Sequence, residues 1–296
     1  MEPQKKTQLI RAIKSILIVI IIMIAMISVS TSYSLVHPPR RADMTTPSDY
    51  GLSYEAITFQ SADGTELKGW HIPHALSSSL IIVCHGHGAN KGDVLFAADF
   101  LHTSGYETLL FDFRAHGESG GGIATLGYLE PNDLKAAIDY AKSNFNPESI
   151  GVIGYSMGGA TAITLAGQTS EIRALVVDSA FADRYKLVSK ATYLPFPFYF
   201  IIQFLAELQG MNMRENLPID YVDKISPNAL LIIQGDRDNL VDLEDAVLLY
   251  EKAKEPKKLW IVEETPHVRA YFTHKQEYET MVLEFFSEHL KTNSSQ

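Results

Sequence analysis

The chain has 296 residues, of which 46% are hydrophobic and 20% charged, a composition typical of a folded protein and not of a disordered or fibrous one. Its formal net charge of −10 disfavours nucleic acid as the main partner, because phosphate binding requires clustered Lys and Arg. The single cysteine, Cys84, excludes an internal disulfide framework and a cysteine-rich metal site.

Residues 1–36 have the pattern of a membrane anchor. An uncharged run over residues 15–36 follows several basic residues, and about 20 such residues span a bilayer as a helix. The basic residues predict a cytoplasmic N-terminus and an exported main domain, giving a single-pass protein of the cell membrane with a linker over 37–52. A cleaved signal peptide and a secreted product remain the alternative, since Ser28-Val29-Ser30 has the small residues of a cleavage site.

Strand and helix patterns alternate after the linker. Residues 52–60 and 65–72 flank Asp63-Gly64, which is a hairpin signal. Apolar strand-like runs then alternate with helical spacing, as in βαβ units of a mostly parallel sheet covered by helices on both faces. The strand runs are 80–84, 107–111, 149–154, 172–177, 229–234 and 258–262, and the helical stretches are 93–102, 131–143, 157–167, 243–254 and 276–290. The pattern predicts one α/β domain over residues 53–292.

Residues 183–222 separate two strand runs by more chain than one crossover helix requires. We expect a small helical cap inserted into the domain there. Its aromatic residues could face an apolar substrate or form the packing core of the cap, and we favour the packing core because aromatic side chains dominate core burial. These residues are Tyr193, Phe196, Phe198, Tyr199, Phe200 and Phe204.

The motif with a direct chemical implication is Gly154-Tyr155-Ser156-Met157-Gly158, which has the form G-x-S-x-G. It follows a strand run and opens a helix of small residues, the context in which this motif forms a nucleophile elbow. A sharp turn there would hold Ser156 in a strained conformation above the sheet, and the helix N-terminus would supply N–H groups to a developing oxyanion. The phosphate-binding motifs G-x-G-x-x-G and G-K-[ST] do not occur at this turn. We expect Ser156 to be a nucleophile.

A serine nucleophile requires a base and an acid that orients the base. Asp238 follows the strand run 229–234, and His267 follows the last strand run, so the chain order is Ser, Asp, His, as in such elbows. Both positions are loops at the carboxyl ends of strands, where the active sites of α/β proteins lie. We predict that His267 accepts the Ser156 proton and that Asp238 orients His267.

Alternatives exist for both partners. Asp236 could replace Asp238 as the acid, and Asp178, at the end of another strand run, could serve in a variant arrangement. His274 could be the base, although Tyr271 and Phe272 place it in the next segment.

The oxyanion hole requires two N–H donors. One is expected from Met157, directly after the nucleophile, and the other from His87, in the loop after the first parallel strand. The His87 side chain could instead belong to a metal site with His85, or with His71 and His74, but no carboxylate or third ligand lies at a recognisable spacing. His85 is expected to brace its loop.

Beyond the anchor, the sequence resembles the α/β-hydrolase-fold serine hydrolases over roughly residues 53–290. It is similar to bacterial membrane-anchored or secreted members related to the prolyl-oligopeptidase-like and short-capped esterase branches. The resemblance rests on HGHGAN at 85–90, FDFRAHGESGG at 111–121, GYSMGG at 154–159, DSAFAD at 178–183, GDRDNLV at 235–241 and PHVRAY at 266–271.

The resemblance implies an eight-stranded sheet whose second strand is antiparallel. It also implies that Asp112, Arg114 and His116 brace the loop after a central strand and do not act on substrate. The chain departs from the family pattern at Gln234, where relatives often carry His.

The expected reaction is hydrolysis of a small or medium carboxylic ester through an acyl-enzyme, with no metal, nucleotide or flavin cofactor. The alternatives are a prolyl-oligopeptidase-like peptidase or amidase, an acyltransferase, and a membrane-tethered binding protein on an inactive hydrolase scaffold. The expected partners are a small ester or acyl substrate and, through the N-terminal helix, the membrane. The sequence does not determine the oligomeric state.

Overall fold

The computed structural model describes residues 3–75, 77–192 and 198–290. The strands are β1 Glu55–Gln60, β2 Glu66–Ile72, β3 Ser79–Cys84, β4 Glu107–Phe111, β5 Ser149–Tyr155, β6 Ile172–Asp178, β7 Ala229–Gly235 and β8 Lys257–Val262. The α-helices are α1 Pro3–Val36, α2 Leu95–Thr103, α3 Glu130–Asn144, α4 Met157–Ala166, α5 Arg184–Ala191, α6 Phe198–Leu208, α7 Leu243–Lys252, α8 Ala270–Thr273 and α9 Lys275–His289.

The eight strands form one sheet in the order β1-β2-β4-β3-β5-β6-β7-β8. β2 runs antiparallel to both of its neighbours, and the other pairs are parallel. This arrangement confirms the predicted α/β sheet, and β1 and β2 flank Asp63-Gly64 as expected. The carboxyl ends of β5, β7 and β8 lie at one edge of the sheet, so the loops that follow them can meet.

Apolar layers cover both faces of the sheet. Successive residues of β3 point to opposite faces, so that Leu80 and Ile82 join one core cluster while Ile81 and Val83 join the other. Helices α3, α4 and α7 cover the first face, and α2 and α9 cover the second. Every residue of β3, β5 and β7 is therefore buried, which explains their continuous apolar runs.

Helix α1 is long and apolar enough to cross a membrane, a test that an N-terminal signal sequence also passes. Most of its length is exposed, but Ser28, Ser32 and Val36 are buried. The side-chain amide of Gln209 donates through Nε2 to Ser32 Oγ at 2.9 Å, and the Ala124 N–H donates to the Val36 carbonyl at 2.8 Å. The last turns of α1 are therefore part of the folded domain.

The segment expected to be a linker is bound to the domain. Arg40 donates to the carbonyls of Ser119 and Gly121, and Arg41 pairs with Asp93 at 2.8 Å. Asp43 lies 2.6 Å from Lys91 Nζ. These contacts hold residues 40–43 against the loops after β3 and β4.

Between β6 and β7 the chain forms α5, α6 and two short 3₁₀ turns. The buried guanidinium of Arg184 holds this segment by donating to the carbonyls of Leu126, Asn212, Glu215 and Asn216.

The aromatic side chains of α6 differ in how far they pack within the cap. Phe204 is 59% exposed, so packing inside the cap does not account for it, whereas Phe200 lies edge-on to Tyr185 of α5 with ring centroids 6.2 Å apart. Phe198 and Tyr199 are partly buried, and Tyr193 and Phe196 lie outside the described residues.

Candidate active site

Ser156 lies at a sharp turn between β5 and α4. Its φ of 51° and ψ of −114° are sparsely populated for a residue other than glycine, and such strain is typical of functional turns. The Ser156 N–H donates to the Asp178 carbonyl at 2.8 Å, which fixes the turn to the neighbouring strand. A Cβ on Gly158 would lie 2.5 Å from the Cys84 carbonyl oxygen, so this position requires glycine.

A continuous chain of hydrogen bonds joins the predicted nucleophile, base and acid. His267 Nε2 lies 3.0 Å from Ser156 Oγ, and His267 Nδ1 lies 2.6 Å from Asp238 Oδ2. The Asp238 side chain is 1% exposed and that of His267 is 23% exposed, so the acid is shielded while the base remains accessible. The three side chains come from the loops after β5, β7 and β8.

The Asp238 carboxylate is well supplied with donors. Its Oδ1 accepts the N–H groups of Leu240 at 2.8 Å and Val241 at 2.9 Å. Burial would raise the pKa of Asp238, but the hydrogen bond from His267 and the two backbone donors bring that pKa below its ordinary value. Asp238 is therefore ionised at neutral pH, as an orienting acid requires.

The alternative acids and the alternative base have other partners. Asp236 accepts the Thr265 N–H at 3.3 Å, and Asp178 accepts from Ser179 Oγ at 2.8 Å. His274 Nδ1 lies 3.0 Å from Thr273 Oγ1. Among the described residues, none of these three side chains forms a hydrogen bond with the side chain of Ser156 or His267.

Gln234 has a contact that sequence reasoning missed. Its side chain is buried, and Nε2 donates to Asp238 Oδ2 at 3.0 Å, the same oxygen that faces His267. In the sequence, the contact could have been suspected from a polar residue near the end of an otherwise apolar strand, four positions before Asp238. The departure from the family pattern therefore retains an N–H donor beside the acid.

The two residues predicted to form an oxyanion hole, Met157 and His87, belong to segments next to Ser156. Met157 is the first residue of α4, where N–H groups have no intrahelical acceptor. His87 lines the same pocket as Ser156, and a Cβ on the preceding Gly86 would lie 3.4 Å from Ser156 Cβ. The loop after β3 is thus close to the nucleophile.

His85 braces this loop, as expected. Its Nδ1 lies 2.7 Å from the Gly86 carbonyl, and Nε2 accepts the Phe113 N–H at 3.0 Å. These partners place the proton on Nδ1. Burial lowers the pKa of His85 to about 3 and that of His87 to about 4, so both rings are neutral at physiological pH.

Within the described parts of the chain, the residues that come close enough to share a metal ion are Asp43, Asp112 and Glu118, with no histidine among them. The ammonium of Lys91 lies 2.6, 2.8 and 2.7 Å from these three carboxylates. The cluster is therefore an ion-pair network around the buried ammonium of Lys91, which already supplies a cation. Carboxylates raise the pKa of Lys91 although its burial opposes this.

Arg114 and His116 also have structural partners. The Arg114 guanidinium donates to both carboxylate oxygens of buried Asp133, at 2.9 Å and 2.7 Å. His116 Nδ1 lies 2.8 Å from the Arg114 carbonyl. Together with Asp112, these residues hold the loop after β4 in place, which is the role implied by the resemblance.

Asp178 is connected to the loop that carries His267. Ser179 Oγ donates to the Asp178 carboxylate and accepts the Val268 N–H at 3.0 Å. Burial raises the pKa of Asp178 from 3.8 to about 6, and its Oδ2 has no hydrogen-bond partner among the described residues. The Ser179 hydroxyl thus links a buried carboxyl to the position of the base.

A cavity of about 640 Å³ opens over Ser156 and His267. Its wall is mainly apolar, with Phe181, Val188 and Phe272 among the lining residues. The C-terminal turn of α1 also contributes to this wall, through Thr31, Ser34 and Leu35. Sequence reasoning did not connect the N-terminal helix with the site.

Comparisons with known proteins agree with this fold. A family model described as alpha/beta hydrolase fold matches residues 79–200. The YqkD protein of Bacillus subtilis is 32% identical over 242 residues, which are 78% of each chain. The esterase Pf2001 of Pyrococcus furiosus superposes with a TM-score of 0.74 at 31% identity, covering 86% of this chain and 100% of that one.

The chain belongs to the α/β hydrolase family. The bem46 protein of Schizosaccharomyces pombe is a more distant relative, 24% identical over 74% of this chain and 72% of its own length. Both the fold and the esterase among the similar structures identify this α/β hydrolase as a hydrolytic enzyme.

Proposed function

We propose that the chain is a serine hydrolase that cleaves carboxylic esters. The observation that carries this proposal is the hydrogen-bond chain from Ser156 Oγ through His267 to Asp238, beginning at a strained turn. Ser156 is the nucleophile, His267 the general acid and base, and Asp238 the group that orients His267.

The geometry supports an acyl-enzyme mechanism. His267 Nε2 accepts the proton of Ser156 Oγ as that oxygen attacks the ester carbonyl, and the N–H groups of Met157 and His87 stabilise the resulting oxyanion. The imidazolium then gives its proton to the departing alcohol. Water, deprotonated by His267, then attacks the acyl-enzyme carbonyl, and as the bond to Ser156 Oγ breaks, His267 returns this proton to Oγ and the acid is released.

Two observations favour an ester as the substrate. The pocket wall is mainly apolar, which suits the acyl chain or alcohol of an ester. The Pyrococcus furiosus protein that this chain resembles over 86% of its length is described as an esterase.

We further propose that α1 is retained as a membrane anchor, with a cytoplasmic N-terminus and an extracytoplasmic catalytic domain. The basic residues before the apolar run support this orientation. Retention is supported by the last turns of α1, because Ser32 and Val36 are buried in the domain and bonded to it.

The full chain in phosphatidylcholine vesicles should react with a fluorophosphonate probe and hydrolyse p-nitrophenyl acetate. Ser156→Ala should abolish labelling and lower turnover by about 1,000-fold or more, because it removes the nucleophile. The matched variant Ser53→Ala changes an exposed serine and should behave like the wild type. Labelling without ester turnover would favour a peptidase, amidase or acyltransferase, and a folded wild-type chain that takes up no probe would contradict the proposed triad.

A further inference from the structure

The active-site pocket and the apolar N-terminal helix meet at one place. Twenty residues of α-helix are about 30 Å long, which is the thickness of the hydrocarbon core of a bilayer. Counted from Ser15, the first residue after the basic segment, this length ends at Ser34. The pocket-lining residues Thr31, Ser34 and Leu35 therefore lie where α1 leaves the hydrocarbon.

The aromatic side chains at this end of α1 support the same boundary. Tyr33 is 58% exposed, and its ring stacks on that of His37 with centroids 4.3 Å apart. Amphipathic aromatic rings are enriched at the membrane–water interface, where one end is apolar and the other hydrated. The mouth of the pocket is thus placed at the outer interface.

Helix α6 presents an apolar surface beside α1. Ile201, Phe204 and Leu208, spaced i, i+3 and i+7, form one stripe with exposed fractions of 39%, 59% and 68%. These fractions are measured with α1 packed against α6. The contact between Gln209 Nε2 and Ser32 Oγ places the C-terminal end of α6 at the same level of α1 as the pocket mouth.

The bilayer itself can cover an exposed apolar stripe that is continuous with a membrane-spanning helix. A helix with one apolar face lies in the interface with that face among the acyl chains. The stripe carries no Lys, Arg, Asp or Glu, and α6 as a whole contains a single charged residue, Glu207. The surface that adjoins the pocket is therefore suited to the outer leaflet.

We propose that the substrate is an acyl ester of a membrane amphiphile, that the α6 stripe lies in the outer leaflet, and that the acyl chain reaches Ser156 by passing the C-terminal turn of α1. This proposal rests on the proposed ester hydrolysis and specifies its substrate class. It explains why the wall of the pocket is apolar and why part of it comes from the anchor. A path through water would require the acyl chain to leave the bilayer.

The test uses the full chain in phosphatidylcholine vesicles. 4-Methylumbelliferyl palmitate is supplied either in the same vesicles as the protein or in separate protein-free vesicles, and 4-methylumbelliferyl acetate is the water-soluble reference. We expect palmitate in the protein's own bilayer to be hydrolysed at least about tenfold faster than palmitate in separate vesicles, a difference of about 1.4 kcal/mol in activation free energy.

Three variants locate the path. The double change Phe204→Glu with Leu208→Glu places charge in the leaflet and should lower the ratio of palmitate to acetate turnover about tenfold. Thr31→Trp narrows the pocket at α1 and should lower the same ratio. Leu248→Glu changes an exposed leucine on α7 that is 43% exposed and should leave this ratio at the wild-type value.

The outcomes separate this inference from the proposed function. If the wild type does not hydrolyse the acetate, or if Ser156→Ala hydrolyses it equally well, the proposed function fails. If acetate turnover is normal but palmitate turnover is equal in the two vesicle arrangements, or if the α6 variant matches Leu248→Glu, the membrane path is overturned. Loss of a dimer in the α6 variant without a change in the ratio would instead assign the stripe to a second copy of the chain.

Discussion

The two sides of the active-site pocket are built in different ways. On the sheet side, Ser156, Asp238 and His267 are held by hydrogen bonds and by close backbone contacts. On the cap side, α5 contributes apolar side chains to the pocket wall, and α1 contributes Thr31, Ser34 and Leu35. In the proposed function, the sheet side determines where bonds break, and the cap side determines which substrates reach it.

The difference teaches how tolerant each side is. At Gly158 even one added methyl group would overlap the Cys84 carbonyl, whereas the adjoining α6 leaves large side chains exposed. Close packing near Ser156 leaves no space for a larger side chain, since protein interiors are packed as densely as crystals of small organic molecules. Substrate preference can therefore change on the cap side while the reaction is preserved.

The largest effect is expected from Gly158→Ala. The added Cβ would lie 2.5 Å from a backbone oxygen, so the elbow must shift, and a displacement of about 1 Å costs roughly 100-fold in rate. Measured kcat/KM for p-nitrophenyl acetate should fall by at least that factor, with a lower Tm. Gly122→Ala is the control, because a Cβ there meets nothing within 4 Å. Equal activity in the two variants would show that the sheet side is as tolerant as the cap side.

A pH-dependent effect is expected from Asp178→Asn. The pKa of Asp178 is about 6 in the folded protein and 3.8 in the unfolded chain, so folding favours the protonated form. The free energy of unfolding of the wild type therefore falls as pH rises from about 4 to about 6 and stays at the lower value above that range. The pKa difference corresponds to a total loss of up to roughly 3 kcal/mol. Asp178→Asn removes this cost, so its advantage in the free energy of unfolding should be present at pH 8 and absent near pH 4.

Denaturant titrations at both pH values measure this advantage. Asp220→Asn, at an exposed aspartate, is the control and should not change stability at either pH. An advantage that is the same at pH 4 and pH 8 would contradict the role assigned to the buried charge.

A smaller effect is expected from Gln234→Leu. The variant removes the N–H donor to Asp238 Oδ2, so the pKa of Asp238 should rise and His267 should be oriented less firmly. We expect kcat to fall about tenfold with little change in KM, and the acidic limb of the pH–rate profile to move to higher pH. Gln234→His retains a ring N–H and should restore both. A uniform loss that His does not restore would assign Gln234 to packing alone.

Much of the fold could be predicted from local patterns. Strand β4 coincides with the predicted run 107–111. For β3, β5, β7 and β8, one boundary of each strand matches the prediction and the other differs by one residue. Apolar runs and helical spacing are local properties, so they can be recognised in the sequence without knowledge of distant contacts. The triad prediction went beyond local structure, because chain order and strand ends together place Ser156, Asp238 and His267 at one edge of the sheet.

The sequence by itself determined the succession of strands and helices along the chain, the position of the elbow and the identity of the triad candidates. Only the tertiary structure decided that α1 lines the pocket, that Gln234 contacts Asp238, that Lys91 pairs with three carboxylates, and that Phe204 is exposed. The physical reason is that periodicity records only whether a position is buried. The particular group that buries it or bonds to it, such as Gln209 beside Ser32, comes from a distant part of the chain.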